Sequence, residues 1–114
     1  LGVTFKANTD DMRDSSSLKM IPALSKKGAK INYYDPTGVK KEFSKVKNVS
    51  YIDNIRESVK GSDLVIIHTE WNDFKSINFK NLVKGKKFII YDMRNIYSPS
   101  KIRKQGFRYF SIGR

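Results

Sequence analysis

Lys6, Asp10, Asp11, Arg13 and Asp14 crowd into one short stretch with Asn8, Thr9, Ser15, Ser16 and Ser17, directly after the apolar segment Leu1-Gly2-Val3-Thr4-Phe5. A loop that only reversed the chain would not need so many charges of both signs. In an open α/β sheet, ligands bind just past the carboxyl ends of the strands, so this stretch reads as a binding loop. Two more polar blocks follow apolar runs in the same way: Thr69-Glu70-Trp71 after residues 63–68, and Asp92-Met93-Arg94-Asn95 after residues 87–91. Together with Asp35 they bring cations, carboxylates, a hydroxyl, an amide and an indole to one rim. Arg94 can grip a phosphate through two parallel donors, and Lys6 can add a point charge beside it. The pair suits a diphosphate, whose charges are costly to desolvate without partners. Arg13, further along the loop, can reach a second anionic group.

Each of these residues also has a purely structural use. Lys6 can be a solvated lysine past a strand. Arg94 can pair with Asp92 or Glu70 and brace the rim, and Arg13 can pair with Asp10 or Asp14. Asp10 and Asp11 read as loop braces rather than a metal pair, because no third ligand clusters with them and the chain has one histidine. Trp71 reads as a packing residue. His68 ends an apolar run and reads as a satisfied core or rim histidine rather than a catalytic base. The chain has no G-x-G-x-x-G or P-loop glycine pattern, no nucleophile paired with histidine and no metal cluster. It is expected to bind a ligand and to carry neither a catalytic residue nor a metal.

The elements that must position these residues follow from two alternating hydrophobic periods. Residues 3–5 are expected to close a first strand. Ser17 then reads as the N-cap of a helix whose face, Leu18, Ile21, Ala23 and Leu24, ends at Gly28 as a C-cap. Residues 29–34 form a second strand, stopped by Asp35-Pro36. A short strand at 49–51 precedes a helix over 55–60, capped by Asp53 or Asn54. Residues 63–68 and 87–91 are near-continuous apolar runs, the mark of strands buried on both faces. Short helical pieces are expected at 71–74 and 78–82, a last helical turn at 98–104 and a closing strand at 108–112. This alternation predicts a Rossmann-like, doubly wound α/β fold with a mostly parallel sheet and helices on both faces.

With 114 residues, 39% of them hydrophobic, the chain suits one domain with a core. It has no cysteine, which excludes disulfides and thiolate sites. No run approaches the roughly 18 apolar residues of a membrane span, and no signal-peptide pattern opens the chain, so a cytoplasmic location is expected. Leu1 already sits inside an apparent strand, which reads as an excised piece of a longer protein. The net charge of +12 comes from 17 lysines and 6 arginines, with the lysines scattered from Lys26-Lys27 through Lys84, Lys86-Lys87 and Lys104. Phosphate-clamping and base-stacking surfaces lean on arginine and aromatics, and no nucleic-acid-binding signature is present. A lysine-rich surface that favours anionic ligands is the simpler reading; neither a specific nucleic acid nor a membrane is expected as a partner.

The residues also carry a resemblance. The run from Gly2 through Phe5-Lys6-Ala7-Asn8-Thr9-Asp10-Asp11-Met12-Arg13-Asp14-Ser15 resembles the opening of the C-terminal domain of the UDP-glucose/GDP-mannose dehydrogenases. Tyr34-Asp35-Pro36, the block from His68 to Phe74, and Tyr91-Asp92-Met93-Arg94-Asn95-Ile96-Tyr97 match later landmarks in order, and Tyr109 to Arg114 resembles the closing strand. The Thr-Glu-Trp and Asp-x-Arg-Asn blocks are most similar to the UDP-glucose 6-dehydrogenase branch. The resemblance implies NAD-dependent, two-step oxidation of UDP-glucose to UDP-glucuronate by a longer enzyme, a homodimer or higher oligomer. Residues 1–114 would be its single C-terminal UDP-sugar-binding domain, with the NAD-binding and central dimerisation domains elsewhere. Carried over by position, Phe5, Lys6 and Arg94 would contact the UDP-sugar, and Arg13 would reach the NAD side. The catalytic cysteine, the active-site lysine and the NAD-binding glycine loop of that family have no counterpart in this chain, so it should not turn over substrate alone. Met93 stands where many members have glycine, and Ala7 where many have proline. A UDP-N-acetylmannosamine or GDP-mannose dehydrogenase is the near alternative. From other classes come a basic nucleic-acid-binding module and an interaction domain that keeps the fold without the site.

Overall fold

The computed structural model describes residues 1–83 and 87–113; Lys84, Lys86 and Arg114, named above, lie outside them. The described elements run α1 (Ser17–Lys26), β1 (Ile31–Tyr33), a 3-10 turn (Lys41–Phe43), β2 (Val49–Tyr51), α2 (Ile55–Val59), β3 (Leu64–Ile67), α3 (Asn72–Lys75), α4 (Phe79–Leu82), β4 (Ile89–Asp92), α5 (Pro99–Lys104) and β5 (Tyr109–Ser111). β1 pairs with β2, and β3-β4-β5 form a second ladder; every pairing is parallel. The predicted α/β class with parallel strands is what the chain forms.

The first expected strand is not one. Leu1 and Gly2 do bridge the two ladders: the Leu1 nitrogen donates to the Ile66 carbonyl (2.7 Å), the Leu1 carbonyl accepts from His68 N (2.9 Å), and Gly2 N donates to Tyr34 O (2.8 Å). At Val3 the backbone groups a strand would share with neighbours go to side chains instead. Val3 N donates to the Asp35 carboxylate (2.8 Å), and Val3 O accepts from the Ser15 and Ser17 hydroxyls (2.6 Å each). The chain bends instead of extending.

That use of Ser17 also moves the cap of α1 to Ser16. Ile21 is the buried apolar residue of the helix and Ala23 is exposed, so the core-facing stripe is narrower than the four-residue face expected. Asn54, not Asp53, caps α2, its side-chain oxygen accepting from Glu57 N (3.0 Å).

Two cores result. Val59, Phe74, Phe79 and Ile102 from α2–α5 pack on Val65 and Ile67 of β3, Ile90 of β4 and Tyr109 of β5. Phe79 centres it, edge-on to Phe88, Tyr97 and Phe107 at 5.5–6.0 Å, the arrangement aromatic quadrupoles favour. Val3, Met12, Ile21, Tyr33 and Phe43 make the second. β3 and β4 are not buried on both faces, as their composition had predicted. Leu64, Tyr91 and Phe110 are 46%, 37% and 47% exposed, and Ile66, Tyr91 and Phe110 stand in register across one face.

Candidate functional site

The loop after β4 is wound around one carboxylate. Asp92 is fully buried and accepts from the backbone N–H groups of Arg94 (3.1 Å), Ile96 (2.8 Å) and Tyr97 (3.1 Å) and from the Tyr109 hydroxyl (2.6 Å). Burying a charge is tolerable only when it is so satisfied, and the effect is a rigid turn that projects Arg94. Asn95 takes the left-handed conformation of the turn (φ 56). Its side-chain amide exchanges a pair of hydrogen bonds with the Ile112 backbone (2.9 and 3.0 Å). Met93 has no positive φ and its N–H donates to Ile67 O (3.0 Å), so this turn does not need glycine at that position.

Arg94 joins the rim's segments. Its Nε donates to His68 O (2.7 Å), its Nη2 donates to Phe5 O (3.3 Å), and Glu70 lies 3.4 Å from Nε. The side-chain partner is thus Glu70; Asp92, the other expected partner, takes the backbone N–H instead. Lys6 is exposed, and its ammonium has no hydrogen bond or ion pair among the described residues; Phe5 beside it is exposed as well. The loop they open is closed by Phe5 N donating to Asp11 O (2.9 Å). Phe5 and Arg94 are therefore brought together, although 89 positions apart in the chain, and Lys6 follows Phe5 directly.

Arg13 stands apart from that group. It folds onto Asp11, not onto Asp10 or Asp14, through a two-pronged contact (Nε–Oδ1 3.1 Å, Nη2–Oδ2 3.0 Å). Its hydrogen bonds hold the Asp11 carboxyl below the usual carboxylate range. The guanidinium is largely open to water, so the pair contributes little to stability. Arg13 lines an open cleft shared with Thr37, Lys40 and Lys41.

Behind the rim, His68 is buried. Its Nε2 meets Ser16 Oγ (2.8 Å), its Nδ1 meets Thr69 Oγ1 (3.1 Å), and Thr69 Oγ1 donates to Thr4 O (3.0 Å). Burial first, then the Arg94 charge, pushes the imidazole down to about 4, which keeps it neutral near pH 7. It is a satisfied structural histidine. Trp71 packs in the first core, with its indole N–H unpartnered among the described residues. The residues that sequence reasoning passed over are Thr4, Ser15 and Ser16, whose partners lie far along the chain.

The model of the UDP-glucose/GDP-mannose dehydrogenase family, UDP binding domain, matches residues 1–99. The chain belongs to this family. Among curated relatives, the UDP-glucose 6-dehydrogenase of Rhizobium meliloti (strain 1021) is 40% identical over 115 residues, covering 100% of this chain and 26% of that protein. The one from Rickettsia felis is 37% identical, covering 99% of this chain and 26% of that protein. Among solved structures, the NDP-N-acetyl-D-galactosaminuronic acid dehydrogenase of Methanosarcina mazei Go1 aligns with a TM-score of 0.82 at 25% identity, covering 99% of this chain and 23% of that one. A UDP-glucose dehydrogenase from Pyrobaculum islandicum aligns with a TM-score of 0.74 at 24% identity, covering 96% and 23%; at that identity it speaks for the fold. The chain spans about a quarter of the length of the curated relatives it matches. Membership favours the dehydrogenase reading over the nucleic-acid module and the bare interaction domain. No helix among the described residues is long and apolar enough to cross a membrane.

Proposed function

We propose that residues 1–114 form the C-terminal UDP-sugar-binding domain of a longer UDP-glucose 6-dehydrogenase, which oxidises UDP-glucose to UDP-glucuronate with two NAD. The observation that carries this reading is Arg94, held out by the Asp92-centred turn against the Phe5 carbonyl, with Lys6 next in the chain, exposed and without an ion pair among the described residues. Two cations at one rim neutralise a diphosphate, and the fixed turn spares the ordering cost of the arginine when ligand binds. Phe5, exposed at the same point, offers a face to the base or sugar. UDP-glucose is preferred over GDP-mannose or UDP-N-acetylmannosamine because the curated relatives cited carry the name UDP-glucose 6-dehydrogenase.

NAD supplies the hydride acceptor. The chain has no phosphate-cradling glycine loop, so NAD is held mainly by the rest of the enzyme, with Arg13 reaching its phosphates from the flank. The apolar row Leu64, Tyr91 and Phe110 on an open sheet face fits a domain that packs against further parts of a longer chain. The same reading makes the enzyme a homodimer or higher oligomer, in the cytoplasm where nucleotide sugars and NAD are available.

The test is NADH formation by the longer enzyme, followed at 340 nm with UDP-glucose, UDP-N-acetylmannosamine and GDP-mannose in turn. Two NADH per UDP-glucose consumed, with little from the other sugars, is the expected result. Turnover of GDP-mannose alone, or of none of them, would overturn the reading.

A further inference from the structure

Behind the rim lies a second layer of buried polar side chains. Thr69 Oγ1 has one proton and gives it to Thr4 O (3.0 Å). Toward His68 Nδ1 (3.1 Å) it can then only accept, so Nδ1 carries the imidazole proton. Nε2 is left as an acceptor, and the Ser16 hydroxyl donates to it (2.8 Å). With this tautomer the contacts join the N-terminus of α1 through His68 and Thr69 to the carbonyl that precedes Phe5-Lys6, with the Gly2 backbone as a further acceptor for the imidazole. His68 also gives its own carbonyl to Arg94 Nε (2.7 Å). Both halves of the rim are thus referred to one dipeptide: the Phe5-Lys6 backbone by the Thr69 hydroxyl, the Arg94 guanidinium by the His68 carbonyl. Thr69 is fully buried, and Gly2 is what lets it approach. A Cβ on Gly2 would lie 2.7 Å from Thr69 Cβ and 2.9 Å from its Oγ1.

We propose that Thr69, oriented by His68 and Ser16, is a positioning residue that holds the backbone leading into Phe5-Lys6 against the Arg94 guanidinium, and so favours a nucleoside diphosphate, which engages both cations, over a monophosphate. This rests on the nucleotide-sugar reading of the rim. A monophosphate needs one of the two cations and is indifferent to their spacing; a diphosphate bridges both and is not.

The experiment is a titration of the chain with UDP and with UMP, for the wild type, Thr69→Val, Thr69→Ser and Ser16→Ala. Thr69→Val keeps the side-chain shape and loses the hydroxyl. It is expected to weaken UDP about five-fold or more, the worth of one net hydrogen bond, while UMP changes less than about two-fold. Thr69→Ser is expected to restore the UDP preference. Ser16→Ala acts at the outer end without opening the core, and is expected to lower the UDP to UMP ratio by a smaller factor; it serves should Thr69→Val not fold. An unchanged ratio in a folded Thr69→Val, or in Ser16→Ala if it alone folds, overturns the proposal. Hydrogen exchange of the amides of residues 4–6, measured without ligand, separates this inference from the one beneath it. Faster exchange there, with Ile67 and Ile90 still protected, upholds the latch even if UDP does not bind the wild type. Unchanged exchange together with no UDP binding removes both.

Discussion

Acid should weaken this fold through His68 in a window that can be stated in advance. The free imidazole titrates near 6.5 and the folded one near 4, because burial and the Arg94 charge oppose the cation. Between those values the unfolded chain binds a proton that the native chain refuses, so stability falls as pH drops from about 6.5 toward 4 and is flat in this term above about 7. A depression of 2.5 units at about 1.4 kcal/mol per unit gives about 3 kcal/mol. Acidic side chains in general also begin to bind protons toward the lower end of that window. A difference measurement is therefore required. Urea unfolding of the wild type and of His68→Asn, followed by Trp71 fluorescence at pH 7.5, 6, 5 and 4.2, cancels the contributions that the two proteins share. The wild type should lose about 3 kcal/mol more than the variant over that range. Parallel curves for the two proteins would refute the claim that a neutral, buried His68 is built into the rim.

Arg94→Ala should weaken UDP-glucose binding by about 1.5–3 kcal/mol, the scale of a charge-assisted contact, as read by calorimetry; an unaltered Kd would remove Arg94 from the site. Asp92→Ala strips the acceptor from four donors and should cost about 3–5 kcal/mol of unfolding free energy; a loss below about 1 kcal/mol would show that the turn holds itself. Arg13→Ala should leave stability in urea unfolding essentially unchanged, since the guanidinium it removes is largely open to water. In the longer enzyme it should raise the apparent KM for NAD and not for UDP-glucose; the opposite pattern would place Arg13 on the sugar side.

Local pattern carried the argument a long way. Apolar runs that stop at polar blocks announced β3 and β4, and the residues just past them, Glu70 and Arg94, do meet because parallel strands share a carboxyl edge. The cap of α2 was legible to within one residue, Asp53 or Asn54, because a cap and the N–H it accepts from, here that of Glu57, lie within one turn. What escaped detection depends on partners remote in sequence. The bend after Gly2 is enforced by Asp35 and by Ser15 and Ser17, and nothing within residues 1–5 announces that their backbone groups are taken. Apolar content likewise cannot tell a strand covered on both faces from one whose second face, bearing Tyr91 and Phe110, stands open. Arg13 chose Asp11 because an arginine two residues on can receive both carboxylate oxygens while its own N–H bonds the same group, a geometry that charge counting does not separate from Asp10 or Asp14.

The most direct test of the central claim is a two-dimensional NMR titration of the chain with UDP-glucose, in parallel with GDP-mannose and a short DNA duplex. The rim account predicts saturable shifts with UDP-glucose at Phe5, Lys6 and Arg94, weaker ones with GDP-mannose, and loss of both in Arg94→Ala. Shifts confined to DNA, spread over the surface lysines and erased by salt, would contradict it.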